Sequence, residues 1–189
     1  MYYTVKYSGT FGFIKPWTAV RDAGGGETYS QQFLTPSIIE GMRQKLEVAE
    51  IVRHKLTYAG VNLQQEVIQA KAWEKDRRNK IYTKNRSILK RGVMLTPTLY
   101  LAFRTLEDAE KSYKQHICLC RNEDILLPTG EIMQLSEEEF NRIDGYELHF
   151  EKNEKAFMVG YNRFNKSEPM FGWLEITGNP IQNPVYEQI

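Results

Sequence analysis

The chain has 189 residues, of which 41% are hydrophobic and 26% are charged, a composition typical of a soluble globular protein with its own core. The formal net charge is only +1, so a polyanionic partner could be inferred only from how the charges are distributed along the chain. No run of 18 apolar residues occurs and the first residues alternate as in a strand, which argues against a membrane span and a signal peptide.

The first elements predicted are a strand, a long loop and a helix. Tyr3, Val5 and Tyr7 recur at every second position, which predicts a strand with one drier face. The helix begins near Pro36, and its N-cap is either Thr35 or a capping pair of Ser37 and Glu40.

The loop between them, residues 9–35, is unusually long for a compact domain, and loops of this length are usually functional or disordered. It combines three consecutive glycines at residues 24–26 with aromatic and basic side chains, namely Phe11, Phe13, Trp17, Tyr29, Lys15 and Arg21. This combination suits an anionic partner that can stack on rings.

A second strand is predicted over residues 48–58, and a strongly basic segment, residues 61–92, follows it. Between Lys71 and Arg91, nine basic side chains stand against two acidic ones, a net charge of +7, so the remainder of the chain carries about −6. Such a segment can neutralise several phosphates, and Trp73 and Tyr82 within it can stack on bases. The alternative is a solvated hairpin or one that docks an acidic protein.

The next residues complete a familiar order of elements. A strand is predicted over residues 93–104, where Pro97 either starts the strand or confines it to a sheet edge. A short helix follows from Thr105, and a short strand covers residues 116–120. The order strand, helix, strand, strand, helix, strand predicts an α+β, ferredoxin-like fold, with the basic segment inserted as a β-hairpin between its second and third strands.

The remainder of the chain is predicted to be a β-rich extension. Thr129 and Gly130 indicate a turn, and Ser136 opens a short helix. Residues 146–151 and 156–161 are expected to pair as a hairpin, and residues 171–178 form a last strand. The predicted division is therefore residues 1–121 as one domain, with its insertion at about residues 61–92, and residues 122–189 as the extension.

The spacing of the cysteine and histidine residues indicates neither a reactive thiol nor a metal site. The two cysteines, Cys118 and Cys120, are read as reduced thiols of a cytoplasmic protein. His54, His116 and His149 show no metal-ligand spacing, so neither a metal nor another cofactor is predicted. Tyr113, Lys114 and His116 are a possible set for metal-free RNA cleavage, although ordinary surface residues are the simpler interpretation.

Four short motifs resemble a known family. They are F-G-F-I-K-P at residues 11–16, G-G-E-T-Y-S at residues 25–30, L-T-P-S-I-I-E-G at residues 34–41 and K-N-R-S-I-L-K-R-G-V-M-L at residues 84–95. In their order and spacing they resemble the "Cas five" family of the RAMP superfamily, subunits of CRISPR Cascade-type effector complexes, and they look most like its type I-C branch. The resemblance covers roughly residues 1–104.

The resemblance implies a ferredoxin-like, RRM-type core whose inserted hairpin, the thumb, grips the 5′ handle of a CRISPR RNA (crRNA). It implies crRNA and the other Cas subunits as partners, with target DNA or RNA reached indirectly, in antiviral defence. Some type I-C members also cut the precursor RNA with a tyrosine and an adjacent lysine–histidine pair. Glu47 stands near the tyrosine position and no histidine directly follows a lysine in the sequence, so a non-catalytic capping subunit is favoured over an endoribonuclease.

The candidate RNA-binding residues lie in the first loop, at the helix start and on the thumb. They are Lys15, Trp17, Arg21, Tyr29, Ser37, Trp73, Arg77, Arg78, Lys80, Tyr82, Lys84, Arg86, Lys90 and Arg91.

Overall fold

In the computed structural model, residues 1–16, 27–75, 77–162 and 165–182 are described, with the backbone alone for residues 68–74 and 84–87. The strands are β1 (Tyr2–Ser8), β2 (Phe11–Gly12), β3 (Glu27–Tyr29), β4 (Arg53–Thr57), β5 (Gly60–Lys75), β6 (Tyr82–Leu95), β7 (Thr98–Phe103), β8 (Ile117–Cys118), β9 (Ile125–Leu135), β10 (Gly145–His149), β11 (Phe157–Asn162) and β12 (Glu168–Thr177). The helices are α1 (Pro36–Leu46), α2 (Leu106–Tyr113) and α3 (Glu137–Asn141). The fold is α+β, and its sheets are mostly antiparallel.

The main sheet has eight strands in the order β11, β12, β10, β4, β7, β1, β9, β8. Within it β1 lies between β7 and β9, and β4 pairs with the far side of β7, with every one of these pairings antiparallel. The alternation predicted for the first strand is confirmed, since Val5 and Tyr7 are fully buried. Pro97 stands directly before β7, an interior strand, so the proline marks the start of that strand and not a sheet edge.

Helices α1 and α2 pack on one face of this sheet. Ile39, Met42 and Leu46 of α1 join the same hydrophobic cluster as Ala109 of α2 and the buried side chains of β1. Thr35 is the N-cap of α1, but its side chain makes no capping hydrogen bond, and Ser37 lies inside the helix. The predicted start of α2 is confirmed, because the Thr105 hydroxyl accepts a hydrogen bond from the Asp108 backbone N–H at 3.2 Å.

The short helix α3 packs on the opposite face of the sheet. Ser136 and Glu139 cap it reciprocally, as a capping box, and this confirms the predicted helix start. Its buried Phe140 meets the ring of Tyr2 edge-on, with ring centroids 5.8 Å apart. Tyr2 faces away from the α1 and α2 side, because neighbouring residues of a strand point to opposite faces. Among the described residues, no helix is long and apolar enough to cross a membrane.

The basic segment folds as a long antiparallel hairpin of β5 and β6, between β4 and β7 in chain order. The first loop runs along the other edge of β6, where β2 pairs antiparallel with Met94 and Leu95 and β3 pairs parallel with residues 90–92. The loop and the hairpin, which the sequence left as separate features, are therefore joined by backbone pairing at the base of the hairpin.

The chain after α2 differs from the sequence predictions. The strand next to β1 on the side away from β7 is β9, and only Ile117–Cys118 of the strand predicted over residues 116–120 form a strand, the edge strand β8. Thr129 and Gly130 lie within β9 at a bulge, where Gly130 adopts a left-handed φ of 72°, and this explains why they resemble a turn. Residues 146–151 and 156–161 do not pair with each other, because β12 lies between β10 and β11. The main sheet thus continues across the predicted boundary at Arg121, and the division into two domains stays a prediction.

Candidate nucleic-acid interface

The tip of the β5–β6 hairpin presents basic side chains to solvent. The chain reverses at residues 77–80, where Lys80 adopts a left-handed φ of 56°. Arg77, Arg78 and Lys80 are all exposed there. Tyr82 follows with 62% of its surface exposed, and the Lys75 ammonium lies 6.0 Å from the centre of its ring. The tip thus combines three cations with an accessible ring, the two features that bind a single-stranded phosphate backbone and its bases.

At the base of the hairpin, two cations form ion pairs with neighbouring strands. The Lys90 Nζ lies 3.1 Å from a carboxylate oxygen of Glu27, on the neighbouring strand β3. The Arg91 Nε lies 2.8 Å from a carboxylate oxygen of Glu66, on β5. Lys90 and Arg91 are both among the predicted RNA-binding residues, and the structure places each of them in an ion pair.

Two guanidinium groups lie against the buried ring of Phe13. The central carbon of Arg91 is 5.2 Å from the ring centre, and that of Arg121 is 5.5 Å from it. Arg121 is also paired with the buried Asp124, at 2.5 Å between Nη2 and Oδ1. Favourable cation–π geometry of this kind anchors the hairpin base to the main sheet. The sequence analysis missed Arg121, since nothing in its local pattern connects it to residues 13 and 91.

The Tyr29 ring lies over Gly92, the residue of β6 that has no side chain. A Cβ added at Gly92 would lie only 2.2 Å from the Tyr29 ring, so the glycine provides the space that the ring occupies. Tyr29 remains about half exposed in this position. It was predicted to contact RNA, and the structure brings it to the hairpin base, beside the pair of Lys90 and Glu27.

One face of the hairpin also exposes aliphatic side chains, which the sequence analysis did not single out. Val67 pairs directly with Ile88, and the two are 64% and 56% exposed. Leu63 and Val61 precede Val67 on β5 and are also exposed. The signal was present in the sequence as apolar residues at positions 61, 63 and 67, which share one face of a strand.

The other predicted residues divide into those that are exposed and those that are not described. Lys15 and Ser37 are exposed, and Ser37 lies in the first turn of α1, which contains no acidic residue. Trp17 and Arg21, with residues 24–26, lie outside the described residues. The side chains of Trp73, Lys84 and Arg86 also lie outside them, although their backbones belong to β5 and β6.

The residues considered for RNA cleavage lie at the end of α2. The Tyr113 hydroxyl donates a hydrogen bond of 2.6 Å to the Gly130 carbonyl, so it is engaged in holding α2 to β9. Lys114 is the C-cap of that helix, and His116 is exposed. Glu47 is the C-cap of α1 in a left-handed conformation and is also exposed.

Comparison with known proteins supports the fold, without assigning a family. No protein-family model matches the sequence, and no curated protein matches it. Among solved structures, the chain is similar to a chain of a "CRISPR RNA-guided surveillance complex", with a TM-score of 0.56 and 9% sequence identity. The similarity covers 95% of this chain and 91% of the other. At this identity the similarity shows a shared fold.

Proposed function

We propose that this protein is a crRNA-binding subunit of a CRISPR effector complex, in which it caps the 5′ handle of the guide RNA. The observation that carries the proposal is the shared fold, over nearly the full length of both chains, with a chain of an RNA-guided surveillance complex. The sequence motifs that resemble the Cas-five family, closest to its type I-C branch, support the same conclusion independently of the fold. In this role its partners are crRNA and the other Cas subunits, and it acts in the cytoplasm.

The proposal includes a ferredoxin-like core of the RAMP type. The antiparallel strand order β9, β1, β7, β4 supports this assignment. Along the chain, α1 lies between β1 and β4, and α2 lies between β7 and β9. In this core the hairpin follows the second strand, β4, and precedes the third, β7, which is the position of the thumb in the family that the sequence resembles.

The charge distribution supports RNA as the ligand. The chain has an overall charge of +1, yet its basic excess is concentrated between residues 71 and 91. Phosphate contacts made by such a hairpin supply affinity without reading the sequence, and stacking on Tyr82 and Tyr29 would position bases. Arg77, Arg78 and Lys80 are proposed as the main phosphate contacts, because they project at the tip, and the remaining predicted RNA-binding residues keep a supporting role.

Co-expression with a CRISPR array and the neighbouring Cas subunits tests this function. The triple reversal R77E/R78E/K80E is expected to lose guide RNA from the purified assembly while the chain remains folded. A matched control, K45E/K114E/K155E, changes the total charge equally at exposed sites outside the hairpin and is expected to retain the RNA. Full retention by the tip variant would contradict the proposal.

Incubation of the pure chain with a hairpin repeat RNA in EDTA distinguishes the alternative, a metal-independent endoribonuclease, from a capping subunit. Only an enzyme releases a discrete product.

A further inference from the structure

Three potential metal ligands meet on the strands β10 and β12, on the far side of β4 from β7. Glu147 and His149 are two residues apart on β10 and therefore point to the same face of the sheet. Glu175 of β12 is the direct cross-strand partner of Glu147. Because the third ligand comes from a neighbouring strand, no spacing rule along the sequence could reveal this group.

The distances within the group are close to those that a small cation requires. The His149 Nε2 lies 2.7 Å from the Glu175 Oε2 and 3.9 Å from the Glu147 Oε2, and all three ligand atoms lie within 4.8 Å of one another. In a tetrahedral zinc site with bonds of about 2.0–2.2 Å, ligand atoms are about 3.3 Å apart. The side chains of His149 and Glu175 are both partly exposed, and their present contact of 2.7 Å would have to lengthen by about 0.6 Å to reach that separation.

Neighbouring side chains hold the ligands in place. The His149 ring stacks on Trp173 with centroids 4.3 Å apart, and the Trp173 indole N–H donates to Glu151 at 2.7 Å. Glu147 is 1% exposed and its carboxylate is bound by Arg53 through two hydrogen bonds, of 2.5 and 2.7 Å. Outer partners of this kind orient metal ligands in known sites.

The charges around the group also bear on what it binds. Two carboxylates directly opposite each other on adjacent antiparallel strands repel unless a cation lies between them. Arg53 offsets the charge of Glu147, whereas Glu175 has the His149 ring as its partner. Lys55 of β4 uses its ammonium group on the carbonyls of Asn141 and Ile143 and on the Thr177 hydroxyl. Neither the Arg53 guanidinium nor the Lys55 ammonium is the partner of Glu175 in this network. A cation between His149 and Glu175 would therefore neutralise the Glu175 carboxylate.

We propose that Glu147, His149 and Glu175 form a binding site for a divalent transition-metal ion of the zinc class. One imidazole nitrogen and two carboxylate oxygens are a donor set that suits Zn²⁺ and Co²⁺ better than Mg²⁺, which prefers oxygen ligands and retained water. Water completes the coordination, because His149 and Glu175 are reached by solvent. The site links β10 to β12, and its metal stabilises this part of the sheet. The proposal does not depend on RNA binding.

The stacked tryptophan provides a direct readout for the test. The full-length chain is titrated with ZnCl₂ by calorimetry and with CoCl₂ by tryptophan fluorescence, since a paramagnetic ion beside His149 quenches Trp173. One equivalent of Zn²⁺ is expected to bind, and Co²⁺ is expected to quench the wild-type chain. W173F keeps an aromatic ring beside His149 and is expected to lose most of the quenching at Co²⁺ concentrations that saturate it, while calorimetry measures its own zinc affinity.

Ligand and control variants decide the location. H149N and E175Q are each expected to weaken Zn²⁺ binding at least tenfold and to abolish the zinc-dependent rise in melting temperature. H116N and C118S/C120S remove an exposed histidine and both free thiols elsewhere, and they are expected to bind zinc as the wild type does. E175Q changes a partly exposed side chain, so it keeps the test valid even if H149N fails to fold. No stoichiometric Zn²⁺ binding, or binding unaffected by H149N and E175Q, would overturn the proposal.

Discussion

Single residues show how burial and close packing define this fold. His54 is 3% exposed, its ring stacks on Phe150 at 5.6 Å, and its Nε2 accepts a hydrogen bond of 3.4 Å from the Leu148 backbone N–H. Burial above all, and then the charges of His149 and Arg53, lower the pKa of His54 to about 3. His54 is therefore neutral in the folded protein throughout the physiological range, and a neutral ring is what allows it to accept the Leu148 hydrogen bond.

Because the pKa of His54 is lowered in the folded protein, the free energy of unfolding depends on pH. In the unfolded chain His54 titrates near pH 6.5, so between about pH 6.5 and 3 the unfolded state binds more protons, and stability falls as the pH falls. The slope from this group approaches about 1.4 kcal/mol per pH unit. H54Q keeps an acceptor for Leu148 and is expected to flatten the pH dependence of urea unfolding below pH 6. An unchanged slope in H54Q would show that other groups cause the acid sensitivity.

The contact between Gly92 and Tyr29 makes a second prediction at the residue scale. G92A places a Cβ where the Tyr29 ring lies, and such overpacking costs about 1–3 kcal/mol. Because the clash is with one side chain, the double variant G92A/Y29A is expected to lose less stability than the sum of the two single variants. Urea unfolding of the four proteins measures this coupling, and strict additivity would show that the ring does not occupy this position.

At the scale of elements, the hairpin combines exposed cations at its tip with ion-paired cations at its base. The pairs of Lys90 with Glu27 and of Arg91 with Glu66 compete with any phosphate that approaches the base. Exposed pairs of this kind contribute only about 0–1 kcal/mol, so a phosphate can displace them. Under the proposed function, Glu27 and Glu66 would therefore limit how much of the hairpin a nucleic acid engages.

Removal of these two carboxylates is expected to strengthen RNA binding. E27Q/E66Q frees Lys90 and Arg91 without changing side-chain size, and we expect the affinity for a single-stranded RNA to rise severalfold at low salt. The matched control E137Q/E138Q removes the same charge from exposed positions on α3. Fluorescence anisotropy with a labelled RNA measures both variants. An equal gain in the control would mean that only the total charge matters.

The elements differ in how far the sequence predicts them, and the reasons are physical. The helices α1 and α2 and the basic hairpin were predicted because caps, proline and charge are local signals. Strand β9 was missed because its bulge at Gly130 looks like a turn. The partners of β10 and β11 were wrong because alternation identifies a strand but not its neighbour, and β12 is inserted between them from later in the chain. The ion pairs at the hairpin base join β6 to residues 25 and 63 positions away, for which the sequence carries no local signal.

For the whole molecule, the basic hairpin belongs to a second sheet, together with β2 and β3, whereas the His149 cluster lies on the main sheet. The hairpin is fixed to the sheet through Phe13, Arg91 and Arg121, and the first loop pairs with its base. This arrangement projects the tip cations away from a body whose net charge is negative. Under the proposed function, the tip cations should therefore contribute most of the salt dependence of RNA binding.

The salt dependence of RNA binding tests this account most directly. For single-stranded RNA, each phosphate neutralised adds about 0.7 to the slope of log affinity against log salt. The tip variant R77E/R78E/K80E is expected to lower that slope by about 2 relative to the wild type, whereas K45E/K114E/K155E leaves it unchanged. Equal slopes for the tip variant and the wild type would contradict the claim that this hairpin grips RNA.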